Sequence, residues 1–401
     1  MQKKLIALAI AGLATAPAFA QTNVTIYGVA DLTQEYVDGK GAQDIGPISG
    51  SSLDIQGRSR LTSNSSLLGF RGTEDLGNGL KAIFQFETGI SADTGMGTTF
   101  SARDTFVGLT SGWGTLVGGN LTHPLRNMGA KVSMSPGATG IGFTAATYGT
   151  VLGVKTGTDD RAANAVAYVT PAFMGGLTFT AAYVNGENTR NADTIATGNP
   201  PPGKDLNSYQ WQLAAQYESG PLYLGAGYHK AKDPQALNGF VGGALGLTAA
   251  DVAGAYNDDL TAWRIAGAYK FGFGMKISGL WDNQKYEVDS NSLGSGEIKR
   301  DAWQLGISQD FGAHTIYGEY SQANEADANS EQLDNSGLKQ YTLGYNYNLS
   351  KRTMLKVYYT EIRNDDGSAA DFYLTPVGSS TQQLGFGADP KGFGLGVRHV
   401  F

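Results

Sequence analysis

Tyr209-Gln210-Trp211-Gln212-Leu213-Ala214-Ala215-Gln216-Tyr217-Glu218 alternates between two kinds of side chain, and after the joint Ser219-Gly220-Pro221 a second run follows. A period of two marks an extended strand whose faces meet different surroundings. The pattern returns in Trp263-Arg264-Ile265-Ala266-Gly267-Ala268-Tyr269-Lys270 and in Gln340-Tyr341-Thr342-Leu343-Gly344-Tyr345-Asn346-Tyr347-Asn348-Leu349. One face is apolar and aromatic, the other polar or small. A soluble sandwich alternates in the same way, so the pattern alone does not say which face is wet.

The joints between such runs decide. Ser219-Gly220-Pro221, Gly272, Gly312 and Ser350-Lys351 are tight, whereas 187–206, 232–258, 324–336 and 365–390 are long and polar. Short turns at one rim and long loops at the other belong to an outer-membrane barrel. Strand-like segments fall at 22–37, 58–73, 79–90, 101–111, 113–122, 161–170, 176–186, 207–219, 221–231, 259–271, 273–288, 299–311, 313–323, 337–349, 351–364 and 391–401. That is an even set of sixteen, enough to close around an aqueous channel. The expected fold is all-β: a transmembrane, antiparallel 16-stranded β-barrel with short periplasmic turns and long extracellular loops.

Composition excludes several alternatives. The 401 residues hold 57 glycines and no cysteine, which removes disulfides, thiol catalysis and cysteine-ligated metal. With 36 acidic and 29 basic side chains the net charge is −7, which speaks against a nucleic-acid partner. Lys3 and Lys4, the apolar run Leu5 to Ala14 and the closing Ala18-Phe19-Ala20 read as a secretory signal peptide over 1–20, cleaved between Ala20 and Gln21. The barrel would then occupy 21–401, with 27 basic against 36 acidic groups and a charge of −9. No later stretch offers 18 consecutive apolar residues for a spanning helix. His123, His229, His314 and His399 are scattered, and neither a Gly-x-Ser-x-Gly elbow nor a Walker loop is present. The expectation is therefore no enzyme, no metal and no cofactor.

Three runs carry a family resemblance: Val24-Thr25-Ile26-Tyr27-Gly28-Val29-Ala30-Asp31, Leu68-Gly69-Phe70-Arg71-Gly72-Thr73-Glu74-Asp75-Leu76-Gly77-Asn78-Gly79-Leu80-Lys81-Ala82, and Gly396-Val397-Arg398-His399-Val400-Phe401. Together they are similar to the trimeric general porins of Gram-negative outer membranes, of the beta-proteobacterial type. The resemblance implies a homotrimer among outer-membrane lipid and lipopolysaccharide, a third long loop folded into the pore, and passive diffusion of ions and small hydrophilic solutes. It also implies that the C-terminal Phe401 is the assembly signal read by the outer-membrane insertion machinery. The alternative is a substrate-specific channel for small organic anions or sugars. Tyr27, Tyr223, Tyr317 and Tyr358 share the inward parity but lie on separated strands.

If apolar parity marks lipid, the opposite parity places Asp31, Lys81, Glu87, Arg264, Lys276 and Arg398 on the lumen wall, with Arg71, Arg103 and Arg161. By resemblance, Arg103 and Arg161 match wall arginines that project into the constriction of anion-preferring porins. Leu67 stands where the family often has another arginine. The parity of Arg58 and Arg60 opposes that of Arg71, so they are not expected to replace it. From Thr105 to Thr158, 54 residues, there is no Asp or Glu, while Arg126, Lys131 and Lys155 are present and Asp159 and Asp160 close the segment. A ring of Arg or Lys favours anions. The expected constriction therefore comprises Arg71, Arg103, Arg126, Lys131, Asp159, Asp160 and Arg161, with inorganic anions preferred over cations.

Overall fold

In the computed structural model, which describes residues 23–43, 54–96, 100–190, 206–232, 255–290, 294–379 and 382–401, sixteen antiparallel strands close into one barrel. The expected signal peptide, with Ala20 and Gln21, lies outside the described residues, as does most of the 187–206 and 232–258 loops. The strands are β1 (Asn23–Lys40), β2 (Ile55–Ser63, resuming as Leu67–Gly77), β3 (Leu80–Gly89), β4 (Thr105–Ser111), β5 (Gly114–Thr122) and β6 (Arg161–Val169). Then follow β7 (Leu177–Arg190), β8 (Leu206–Ser219), β9 (Leu222–Lys232), β10 (Ala255–Lys270) and β11 (Met275–Ser290). The last five are β12 (Gly294–Phe311), β13 (His314–Ala323), β14 (Leu338–Asn348), β15 (Thr353–Asn364) and β16 (Asp389–Val400).

Each strand pairs with its neighbour, and β16 returns to β1 in unbroken register from Val29 opposite Val400 to Lys40 opposite Asp389. Below that seam Gly28 and Phe401 exchange two backbone hydrogen bonds, of 2.9 and 3.0 Å. The Phe401 ring lies so close over Gly28 that a Cβ there would sit 2.4 Å from it. Glycine is required at this position by close approach. At the first tight turn Gly77, Asn78 and Gly79 all have positive φ, +86°, +52° and +78°, and the Asp75 carboxylate accepts the Gly77 N–H at 2.8 Å. These are the residue types that tolerate such a backbone.

The faces are inverted relative to a soluble sheet. Ile265 and Leu343 point outward and are 58 % and 66 % exposed, whereas Arg264, Gln304 and Gln340 on the same wall point inward. Two aromatic girdles bound the apolar exterior, as in membrane barrels. Near the short turns, Tyr269, Phe271 and Phe273 form contacts with centroids 4.8 and 5.3 Å apart, and Trp113 stacks on Tyr168. Towards the long loops run the pairs Tyr183–Trp211, Tyr228–Trp263, Trp303–Tyr320 and Tyr320–Tyr341, all within 4.5–5.0 Å.

Two departures from the expected strands have local causes. β10, β11 and β12 continue several residues beyond the segments anticipated at 259–271, 273–288 and 299–311. Towards these ends the faces exchange character: Lys285, Glu287, Glu297 and Lys299 take the outward parity while Leu260, Tyr286 and Ile298 are buried within, so the apolar-out period that marks the strand lower down reverses while the ladder persists. The segment 58–73, expected to be one even strand, is broken at Asn64–Ser66. Leu32 pairs with Ser63 but Val29 with Leu67, so β2 carries one extra residue there. Ser65 takes a positive φ of +58°, and Asp31 holds the bulge through its N–H to the Ser66 hydroxyl at 2.9 Å. A bulge of this kind resets side-chain parity.

The third long loop, 123–160, folds into the bore. It contains α1 (Pro124–Val132), α2 (Ala145–Tyr148) and a small ladder pairing Thr150–Val151 with Val154–Lys155. Met128, Val132, Ile141, Phe143 and Tyr148 pack in one cluster with Ala266, Leu280, Ala302 and Tyr358 of the wall. The eighth loop, 365–388, also turns inward, burying Phe372, Tyr373 and Val377.

Candidate functional site

The inward polar residues of β10 to β14 bind loop 3 rather than water. Arg264 is wholly buried. Its Nε donates to Asp282 Oδ2 at 2.8 Å, and Nη1 and Nη2 reach Asp159 Oδ1 and Oδ2 at 2.9 and 2.7 Å. Nη1 also donates to the Leu125 carbonyl at 2.8 Å, and the guanidinium lies 4.7 Å over the Tyr148 ring. Gln284 donates to the Tyr148 carbonyl at 2.6 Å, and Arg300 to the Thr147 and Thr150 carbonyls. Glu319 Oε1 accepts the Met134 N–H and a Gln304 N–H, both at 2.8 Å. Gln340 and Thr342 donate to the Ile141 and Gly142 carbonyls, each at 3.1 Å. Alternation supplies these donors every second residue on successive strands, and the irregular backbone of loop 3 supplies the acceptors. One side of the bore is thereby sealed.

The opposite wall, β1 to β6 with β16, carries the charges that meet water. Arg103, just before β4, has its Nε 3.5 Å from Glu87 Oε2. Arg161, at the start of β6, reaches Asp104 with Nε at 3.3 Å and Nη2 at 3.4 Å. Arg126 comes from α1 on the facing loop and donates to the Asp159 carbonyl. Burial, and then the neighbouring Arg161 and Arg126 charges, pull the Arg103 guanidinium below its ordinary range, against Glu87 and Asp104. Three guanidiniums thus share one neighbourhood with two carboxylates. Arg71 lies further along this wall, exposed, 5.0 Å over the Tyr27 ring, whose hydroxyl donates to Glu87 at 2.8 Å.

Several anticipated site residues take other roles. Asp159 is not a constriction charge: both of its oxygens are consumed by Arg264, and it is fully buried. Asp160 is half-buried beside it, its carbonyl accepting the His123 N–H. Lys131, at the C-terminal end of α1, pairs with Glu218 at 2.7 Å, and Lys276 donates to the Lys131 carbonyl at 3.1 Å, on the β8–β11 side. Arg264 faces inward but is sealed beneath the loop rather than lining open water. Asp31 is clamped between Lys356 at 2.6 Å and Arg398 at 3.0 Å, with the Arg398 guanidinium against Gly137 of loop 3. Lys81 is exposed near the short-turn rim, and Glu87 is nearly buried. Tyr223, Tyr317 and Tyr358 are buried rather than forming an aromatic track.

Sequence reasoning missed three charges. Asp104 ends one residue before the acid-free segment begins, and its carboxylate is held by the Thr122 N–H and hydroxyl, both at 2.7 Å, as well as by Arg161. Arg60 and Arg58 were assigned the outward parity, but the bulge at Asn64–Ser66 turns them to the bore. Arg60 pairs with the buried Glu35 at 2.9 Å and donates to the Pro376 and Thr375 carbonyls at 2.6 and 2.8 Å, while Arg58 donates to that of Val377. They fix loop 8. The scattered histidines contain one spatial pair, His123 at the N-terminus of α1 and His229 on β9, with buried rings 5.3 Å apart.

Comparison with known proteins gives a consistent picture. The family model "Gram-negative porin" matches residues 7–367. Outer membrane porin protein 32 of Delftia acidovorans is 32% identical over 412 residues, covering 100% of both chains. An outer membrane porin protein of Bordetella pertussis is 28% identical over 433 residues, again covering 100% of both. Among solved structures, an anion-selective porin from Comamonas acidovorans superposes with a TM-score of 0.70 at 26% identity, covering 95% of this chain and 100% of that one.

Proposed function

The chain belongs to the Gram-negative porin family, whose members are outer-membrane channels, and on that premise we propose that its bore passes small hydrophilic solutes passively and anions more readily than cations. The observation that carries the preference is the shared neighbourhood of Arg103, Arg126 and Arg161, with Arg103 paired to Glu87 and Arg161 to Asp104. In a narrow site walled by low-dielectric protein, an uncompensated cation raises the local anion concentration. The overall −7 does not decide the preference, because a permeating ion responds to charges within about a Debye length of the narrow site and exposed carboxylates beyond that are screened. The selectivity in the name of the Comamonas structure points the same way. Reversal potentials in a KCl gradient across planar bilayers test the reading: the expected sign is that of chloride permeation, and a clear potassium preference overturns it. Linear conductance with salts, as opposed to saturable current with one sugar or organic acid, separates the general from the substrate-specific reading.

The same proposal includes a homotrimer. β4 has 7 residues, which at about 3.4 Å per residue and a tilt near 40° span about 18 Å, less than the roughly 25 Å apolar band. Its outward Val107 and Leu109 are apolar, as is Val166 of β6. A wall this low is best covered by protein, and a second and third copy supply it. Phe401, locked at the seam, is assigned to recognition by the insertion machinery, and residues 1–20 to export. Lipid and lipopolysaccharide complete the set of partners.

A further inference from the structure

Two arginines of β2 hold loop 8, and only one of them is fully engaged. Arg58 and Arg60 pair with Val37 and Glu35, both buried on the inner face of β1, so both side chains enter the bore near the long-loop rim. Arg60 uses all three of its nitrogens, Nε on Glu35 and the two Nη on the Pro376 and Thr375 carbonyls. Arg58, two residues nearer the rim, donates from Nη2 to the Val377 carbonyl, is exposed, and forms no ion pair among the described residues. Its acceptor is rigid. Val377 is wholly buried, and its N–H and that of Gly378 reach the Asp371 carboxylate at 2.8 Å, where the Phe372 N–H joins them at 2.7 Å. On the other flank of this turn the Tyr373 ring lies 4.5 Å from the Lys155 ammonium of loop 3. A fixed carbonyl thus orients the Arg58 guanidinium while occupying one N–H of its five.

What remains is an oriented fork open to the outer vestibule. Two parallel N–H groups on one guanidinium edge match the two oxygens of a carboxylate or phosphate, a geometry that a single spherical anion does not exploit. We propose that Arg58 is a specificity-determining residue of the outer mouth, which captures the carboxylate or phosphate group of a small solute before that solute meets Arg103, Arg126 and Arg161. Position supplies the order of events. Glu87, the partner of Arg103, stands opposite Gly69, eleven residues beyond Arg58 along β2. That is roughly 35 Å of strand, several times the Debye length of about 8 Å at physiological salt, so the mouth and the constriction act as separate sites. The two arginines divide the work: Arg60, tied to the buried Glu35, seats the loop, and Arg58 reads what arrives.

The assignment rests on the anion-passing reading, and its test keeps the two apart. The purified full-length protein is recorded in planar bilayers in potassium chloride with inorganic phosphate or acetate added in steps, and reversal potentials in a potassium chloride gradient are taken on the same samples. In the wild type both oxyanions are expected to reduce the chloride current. Arg58→Gln should raise the half-reducing concentration at least threefold, and Arg58→Lys, which keeps the charge but not the fork, should raise it nearly as far. Lys391→Gln, which removes another rim cation, paired with Asp38, should leave it unchanged. Chymotrypsin cleavage at Phe372 and Tyr373 reports whether loop 8 keeps its seat in Arg58→Gln; where it does not, Arg58→Lys, which retains a donor for the carbonyl, decides. No reduction in the wild type, or equal half-reducing concentrations in the wild type and both Arg58 variants, overturns the site and leaves the anion preference intact. Wild-type behaviour in Arg58→Lys overturns the assignment to oxyanions. A potassium-selective wild type overturns the anion-passing reading instead.

Discussion

Arg264→Met removes the only side chain that ties β10, β11 and loop 3 at one point among the described residues. The geometry sets the magnitude. Asp159 and Asp282 are both fully buried, and each receives Arg264 at 2.7–2.9 Å. Deleting the guanidinium leaves Asp159 without its main partner and Asp282 with only Gln284 Nε2 at 2.9 Å and Arg300 at 3.7 Å. Breaking a buried pair from one side costs about 3–5 kcal/mol. At about 1.4 kcal/mol per factor of ten, the balance between the seated and unseated loop moves by roughly two to nearly four orders of magnitude. Replacing all partners together is far milder, because no charge is stranded. Arg264→Met, Asp159→Asn, Asp282→Asn is therefore expected to recover most of the loss.

The barrel ladder itself does not pass through Arg264, so the single variant should still assemble. Two assays report the loop. Single-channel recordings should show larger and noisier conductance, because α1 and its Arg126 leave the bore. Trypsin should cut faster within 123–160, which carries Arg126, Lys131 and Lys155. Conductance and cleavage identical to wild type in Arg264→Met would refute the claim that this ion cluster seats the loop.

Three further outcomes follow from the same geometry. Arg161→Glu should reduce the chloride-to-potassium permeability ratio more than Arg71→Glu, because Arg161 shares its field with Arg103 and Arg126 while Arg71 lies apart on Tyr27; equal effects would count against the placement of the constriction. Burial holds the His123 imidazole down, from 6.5 to about 4, despite Asp160 and Asp159. An unseated loop therefore takes a proton below pH 6.5 that the seated loop refuses, and seating loses about 1.4 kcal/mol per pH unit, about 3 kcal/mol by pH 4. Loop noise should rise on acidification through that window and rise less in His123→Phe; a pH-independent wild type contradicts this. Deletion of Ser65 should lower the yield of heat-modifiable barrel on gels, since restoring even parity turns either Arg60 or Arg71 towards lipid at about 2–4 kcal/mol near the midplane; normal yield would mean that the bulge is dispensable.

The barrel was legible because its signal is local and repeated. A period of two in Tyr209–Glu218 or Gln340–Leu349 needs only the contrast between lipid and interior, and the tight Gly77-Asn78-Gly79 turn needs only its own backbone. Parity also found the inward charges: Asp31, Glu87, Arg264 and Arg398 all point into the barrel. It could not say which of them meet water. Arg264 and Glu319 satisfy the backbone of a loop more than a hundred residues distant, Asp282 holds Arg264 from the next strand, and no periodicity records those contacts. Arg60 failed for a different reason. One added residue at Asn64–Ser66 inverts every assignment upstream, and neither Asn64 nor Ser65 announces a bulge by its identity.

The acid-free stretch of loop 3 gains its meaning only with those contacts in place. The carboxylates at its borders, Asp104, Asp159 and the half-buried Asp160, are those that could have cancelled the constriction's charge. Asp159 is drawn out of the bore by Arg264, and Asp104 is occupied by the Thr122 N–H and hydroxyl on one side and by Arg161 on the other. The loop therefore presents Arg126 with two of its three bordering acids, Asp104 and Asp159, held by other partners. Seating and selectivity share one device: the arginine that anchors the loop is also the one that removes its nearest carboxylate from the path of the ions. If so, Arg264→Met should widen the pore and weaken its anion preference together, and a wider pore with unchanged selectivity would separate the two roles.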